Sequence, residues 1–259
     1  MTSFDANGAR ISFRVDGSED APPLLMLHSL GSNIHMWDPQ LPALRERLRV
    51  IRYDLRGHGG SSAPPAPYSL DELGADALAL LDALEIERCH VCGLSLGGML
   101  ALWLAANHPQ RVDRAVFADT AARIGTKESW QTRIDAVRTG GLEAVHETVM
   151  ARFLSERFRR SQPLVAKAVS DALLATGAEG YLGCCAALRD ADLSNRVTTI
   201  RVASLVIVGA LDESTTPAQA EALHALIPAS ELAVIPGAAH LANIERPEEF
   251  TRLLLAFLD

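Results

Sequence analysis

Hydrophobic residues fall along this chain in blocks of two kinds. Leu24–Leu27, Arg49–Tyr53, Cys89–Leu94, Val112–Ala118, Ser204–Gly209 and Glu231–Ile235 are compact, largely apolar runs of strand length. The stretches between them space their apolar residues helically, as in Leu70–Leu84, with Leu at 70, 73, 78, 81 and 84. Further helices are expected over about Pro39–Leu48, Leu96–Asn107, Ala218–Leu226 and Pro247–Leu258. A hairpin opens the chain, with Asn7-Gly8 turning between Thr2–Asp5 and Ala9–Val15. Apolar strands alternating with helices predict an α/β fold with a mostly parallel central sheet flanked by helices on both faces.

From about Thr120 to Asn195 long helical stretches appear and no strand is evident. The expected organisation is therefore a core domain of residues 1–119 and 196–259, with a helical cap of residues 120–195 inserted into it. No repeat, low-complexity tract or flexible linker interrupts this plan.

At 259 residues, 48% hydrophobic and 22% charged, the chain suits one large domain with a small insertion and is not disordered by composition. Its net charge of −8 argues against a nucleic-acid or anionic-membrane partner. An anionic substrate would have to meet arginines held locally at the site. The start, Met1-Thr2-Ser3-Phe4-Asp5, has no basic or apolar signal region, and the apolar stretch Met99–Ala106 is too short to span a bilayer. A cytoplasmic protein is expected. Cys89 and Cys92 fit C-x-x-C but lie in a strand, where alternation sends them to opposite faces; with the adjacent Cys184 and Cys185 they read as buried, reduced thiols. His146-Glu147 begins like a zinc-protease helix, but Met150 stands where the second ligand belongs. Neither a P-loop nor a G-x-G-x-x-G after the first strand is present, so neither metal nor cofactor is expected.

The strongest chemical signal is Gly93-Leu94-Ser95-Leu96-Gly97, a G-x-S-x-G run followed by Gly98. Alone the pattern is common. Here it joins an apolar strand to a helix, the strand–turn–helix setting that presents a nucleophile at the end of a sheet. A serine in so sharp a turn crowds the backbone on both sides, which favours residues without a Cβ nearby. Serine also needs a base, and the base an orienting acid, in the chain order Ser, Asp or Glu, His. Among eight histidines, His240 stands in Gly237-Ala238-Ala239-His240 before the final helix, where it can reach the mouth of the sheet. Asp212 follows the strand Ser204–Gly209 and is the expected acid; Glu213 is adjacent, and Asp119, ending the preceding strand, is the competing position. Backbone N–H groups of Leu30 and Leu96 are the expected oxyanion donors.

Tyr53-Asp54-Leu55-Arg56-Gly57-His58-Gly59-Gly60-Ser61 and the Ser95 turn resemble α/β-hydrolases in general. Ser29-Leu30-Gly31 with Met36-Trp37-Asp38, then Phe117–Gly125 and Tyr181–Asp190, together resemble 3-oxoadipate enol-lactonases, and the likeness runs through the cap. Two positions depart from relatives: His28 stands where many of these lactonases have Asn, and Ser29 where most hydrolases have Gly. The resemblance implies the α/β-hydrolase fold and opening of a small anionic enol-lactone through an acyl-enzyme on Ser95. It also makes a cap arginine the anchor for the substrate carboxylate, with Arg133, Arg189 and Arg123 as candidates and Trp130 as a ring-facing wall. A carboxylesterase or a cofactor-free haloperoxidase on the same scaffold, and a non-catalytic ligand-binding protein, are the competing readings. The oligomeric state is left open.

Overall fold

The computed structural model describes residues 2–259. Eight strands form one sheet: β1 (Thr2–Ala6), β2 (Ala9–Asp16), β3 (Pro23–Leu27), β4 (Arg49–Tyr53), β5 (Cys89–Leu94), β6 (Val112–Ala118), β7 (Ala203–Gly209) and β8 (Ser230–Ile235). Their spatial order is β1-β2-β4-β3-β5-β6-β7-β8. The opening hairpin and β2–β4 pair antiparallel, and every other neighbour is parallel. The expected mostly parallel sheet is thus present. All six residues of β5 are buried, which explains its lack of alternation.

The helices are α1 (Leu41–Leu44), α2 (Leu70–Ala83), α3 (Leu96–Asn107), α4 (Lys127–Gly140), α5 (Glu143–Phe153), α6 (Glu156–Ser161), α7 (Pro163–Ala175), α8 (Ala178–Asp190), α9 (Pro217–Leu226), α10 (Ala242–Glu245) and α11 (Pro247–Leu258). Local sequence starts several of them. Ser69 with Glu72, and Thr216 with Gln219, form reciprocal capping boxes at α2 and α9. Helix α3 is apolar nearly all round and buried from Leu96 to Ala105, wedged against β3, β5 and β6.

One expected helix is much shorter than its pattern. Only Leu41–Leu44 of the stretch Pro39–Leu48 is helical, preceded by a 3₁₀ turn at Ile34–Trp37. Leu44 and Leu48 are buried, but Arg47 N–H already bonds back only three residues, to Leu44 O (3.0 Å). The chain tightens there because β4 must begin at Arg49.

The order of strands sets the position of the site. From β3 the chain goes to β4 on one side and then crosses to β5 on the other. The loops leaving β3 and β5 therefore diverge, opening a crevice at the carboxyl ends of these two strands. Between β6 and β7 the chain runs through α4–α8 without a strand, and residues of α4, α5 and α8 wall this crevice from above.

Candidate active site

Ser95 joins β5 to α3 with φ 59° and ψ −116°, a left-handed backbone that non-glycine residues rarely adopt. The flanking backbones leave no room for side chains. A Cβ on Gly93 would overlap the Gly97 carbonyl, and one on Gly97 would overlap the carbonyl of Leu27. The turn is locked on both sides: Ser95 N–H donates to Ala118 O (3.0 Å), while Thr120 Oγ1 and Met99 N–H donate to Ser95 O (both 2.9 Å). The strain is thus held by β6 and the first turn of α3.

His240 and Asp212, distant in sequence, meet at 2.8 Å between Nδ1 and Oδ2, with both side chains almost fully buried. Asp212 accepts three further hydrogen bonds: Ser214 N–H at 2.7 Å, Thr215 N–H at 3.1 Å and Thr215 Oγ1 at 2.8 Å. Burial works to raise the Asp212 pKa, but the charge and hydrogen bond of His240, with the Thr215 donors, outweigh it and hold the pKa below its ordinary value. Asp119 is differently placed. Its Oδ1 accepts Gly209 N–H (2.8 Å), its Oδ2 is buried, and burial followed by the charge of Asp212 push its pKa well up against the opposing backbone N–H groups of Gly209 and Ala242. The histidine pairs with Asp212, not with Asp119. Glu213 lines the cavity but makes no bond to His240.

The histidine loop is fastened to α5 in a way that the sequence did not announce. His240 N–H and Leu241 N–H donate to Arg152 O (3.4 Å) and Phe153 O (2.9 Å). The Phe153 ring stacks on His240, centroids 5.9 Å apart and planes at 25°. Glu245 clamps the same junction, accepting Ser155 N–H and Oγ (both 2.7 Å) and Ala239 N–H (3.2 Å). Arg152, Phe153 and Glu245 carry no local motif, and only the packing of α5 against the His240 loop gives them a place; Thr215 is instead set locally, three residues after the Asp212 that it bonds.

A cavity of about 590 Å³ brings Ser29, Leu30, Ser95 and His240 together with Trp130, Arg133, Arg152, Phe153 and Tyr181. Leu96 is buried at the first position of α3, so its N–H has no acceptor within the helix. The Trp130 indole N–H donates to Ile124 O (2.6 Å), leaving its ring in the wall, and the Arg133 guanidinium lies 4.8 Å from the centre of that ring. Burial raises the Tyr181 hydroxyl's pKa, and Arg133 opposes this through charge and a hydrogen bond. Neither Arg133 nor Arg152 has an acidic partner among the described residues.

The other two expected arginines are corrected by the structure. Arg189 is turned away and held in a fork by Asp190 (3.0 and 2.7 Å) and by Gln131 (2.9 Å). Arg123 is 44% exposed and faces Asp192 at 3.7 Å. Neither lines the cavity. In each case a nearby acid provides a local partner and draws the guanidinium to the surface.

A strained serine at a strand–helix turn, a buried His–Asp pair and a parallel sheet define the class, and the chain belongs to the alpha/beta hydrolase fold family, whose pattern matches residues 22–247. Within it, the chain is 38% identical to 3-oxoadipate enol-lactonase 2 of Acinetobacter baylyi, over 99% of this chain and 96% of that one. The crystal structure of the enol-lactonase from Burkholderia xenovorans superposes with a TM-score of 0.97 at 39% identity, covering 99% of both chains. These bear out the resemblance read from residues. A putative carbamate hydrolase RutD of Caulobacter segnis is 30% identical over 91% of each chain. No helix among the described residues is long and apolar enough to cross a membrane.

Proposed function

We propose that this protein is a serine hydrolase that opens 3-oxoadipate enol-lactone to 3-oxoadipate. The observation that carries the reading is one cavity holding Ser95 at its strained turn, His240 braced by Asp212, and the guanidinium of Arg133, which has no acidic partner among the described residues. Relatives named for this activity support the choice of substrate.

Ser95 Oγ attacks the lactone carbonyl while His240 Nε2 takes the hydroxyl proton, and Asp212 stabilises the imidazolium through Nδ1–H. The Leu30 and Leu96 N–H groups stabilise the oxyanion. Collapse breaks the ring C–O bond, and His240 returns the proton to the departing enol oxygen, which then tautomerises to the ketone. Water, deprotonated by His240, cleaves the acyl-enzyme and releases Ser95 with a second carboxylate on the product. No cofactor enters these steps. The helical segment of residues 120–195 acts as a cap on the core of residues 1–119 and 196–259, supplying Arg133 to pair with the substrate carboxylate and Trp130 to cover the ring.

The similarity to a putative carbamate hydrolase favours a second reading, a carbamate as the acyl compound attacked. Turnover of the enol-lactone, a nitrophenyl ester and a carbamate decides between them, with peracid formation assayed alongside. A kcat/KM for the lactone roughly 10- to 100-fold above the others is expected from one well-placed charged contact. Equal values on a neutral ester would remove the lactonase assignment.

A further inference from the structure

The loop leaving β3 is held by two buried histidines that the reaction above does not use. His28 Nδ1 lies 2.8 Å from Ser29 O. A carbonyl oxygen only accepts, so Nδ1 carries the proton and Nε2 presents a lone pair. Nε2 indeed accepts the Leu55 N–H at 2.9 Å. His58 repeats the pattern, with Nε2 accepting Gly31 N–H at 3.0 Å and Nδ1 donating to Arg56 O at 3.3 Å. The two rings are 5.2 Å apart. Burial brings the His28 pKa down to about 4 and the His58 pKa to about 3, so both are neutral at ordinary pH with the single tautomer that these contacts require.

Ser29 O and Leu30 N–H are opposite ends of one planar trans peptide, so fixing the direction of one fixes the other. Ser29 O receives a second donor, Ser32 N–H at 3.2 Å, across a turn that places Gly31 at φ +71°. Leu30 N–H has no acceptor among the described residues, and Ser29 and Leu30 line the cavity with Ser95. Donors on a peptide oxygen also polarise its N–H, by about 10–30% per bond.

We infer that His28 is a positioning residue for the transition state: its Nδ1–H aims and polarises the Ser29–Leu30 peptide so that the Leu30 N–H meets the developing oxyanion, while His58 anchors the far side of the loop through Gly31. The inference rests on the proposed reaction at Ser95. The two nitrogens of His28 do separate work, Nδ1 serving the oxyanion peptide and Nε2 tying the loop to Leu55.

Amide side chains separate the two roles. In His28→Gln the amide reaches the Nε2 position and can accept from Leu55, but it cannot reach Ser29 O. In His28→Asn the amide reaches the Nδ1 position and donates to Ser29 O, leaving Leu55 N–H unpaired. Both variants and the parent are assayed for kcat and KM on the enol-lactone and on nitrophenyl acetate, for phenylboronic acid affinity as an oxyanion mimic, and for Tm. His28→Gln is expected to lower kcat about tenfold on both esters at unchanged KM and to weaken the boronate in step, less than the ~10²–10³ for losing an oxyanion donor outright. His28→Asn is expected to keep kcat within about threefold while Tm falls, because a buried N–H is orphaned. A fully active His28→Gln, or a His28→Asn as impaired as His28→Gln, overturns the inference while leaving the hydrolase reading intact. If His28→Gln does not fold, the Asn variant decides by the same kcat criterion. A parent protein inactive on both esters overturns the hydrolase reading and this inference with it.

Discussion

Replacing Asp212 with Asn puts the His–Asp pair under the most direct test. The carboxylate accepts from Ser214 N–H, Thr215 N–H, Thr215 Oγ1 and His240 Nδ1, at 2.7, 3.1, 2.8 and 2.8 Å. An amide offers only one acceptor oxygen. The two backbone N–H groups can only donate, so they claim that oxygen at the Oδ1 position, and the amide NH₂ falls opposite His240. His240 must then present a lone pair from Nδ1 and carry its proton on Nε2, where it can no longer accept one from Ser95. The expected loss is about 10⁴ in kcat, or roughly 5.4 kcal/mol of barrier at about 1.36 kcal/mol per decade. Asp119→Asn is the matched control. Burial and the charge of Asp212 raise the Asp119 pKa well above its ordinary 3.8, which favours a neutral acid that Asn imitates. Its kcat should therefore stay within about fivefold of the parent. The sign of the stability change follows too: a raised pKa contributes stability that is full below 3.8 and is lost as pH rises through the folded value. Asp119→Asn removes that loss, so its urea midpoint at neutral pH should equal or exceed the parent's. Steady-state kinetics with urea titration measures both. A ~10³-fold loss in Asp119→Asn alongside an active Asp212→Asn would refute the reasoning.

Ser95→Ala should cut turnover by about 10⁶ while leaving the circular dichroism spectrum and Tm near those of the parent, since alanine meets the same backbone strain. Residual activity near the parent's would disprove nucleophilic attack at this position. Arg133→Met should raise KM for the enol-lactone by roughly 10- to 100-fold, as expected for losing a charge-assisted contact, and leave KM for nitrophenyl acetate alone. A parallel rise on both would assign Arg133 to packing against Trp130 instead. Arg56→Met leaves the Asp76 carboxylate, bonded to Arg56 at 2.6 and 2.7 Å and 1% exposed, without its cation. A loss of about 3–5 kcal/mol in urea unfolding is expected, with recovery when Asp76→Leu is added; an unchanged midpoint would contradict it.

Local chemistry wrote much of this molecule directly into the chain. The period of apolar residues announced the strands and most helices, because a strand buried on both faces has no polar side and a helix buried on one shows its stripe. Gly93 and Gly97 announced the turn at Ser95, since a Cβ at either would overlap backbone. Chain order then placed Asp212 and His240 at the carboxyl ends of β7 and β8, and the structure brings them within 2.8 Å. Where helical spacing overran, at Pro39–Leu48, it could not foresee that β4 had to start at Arg49.

Arginines were legible as a type and illegible in direction. Arg123, Arg133, Arg152 and Arg189 all lie in the helical segment; Arg189 has Asp190 beside it in sequence, but Arg123 meets Asp192 only in the fold, and only the fold turns Arg133 and Arg152 to the cavity. The preference for Asp212 over Asp119 rested on chain position, and tertiary structure supplies the physical ground: His240 bonds one carboxylate and leaves the other in a buried setting that raises its pKa. Phe153 and Glu245 belong to the same category, since their contacts join residues about ninety positions apart. Sequence by itself determined the reaction class, because a strained serine turn must be built from neighbouring residues. Tertiary structure decided which charges face the cavity and how the His240 and Ser29–Leu30 loops are aimed, because those depend on helices, strands and loops that meet only when the chain folds.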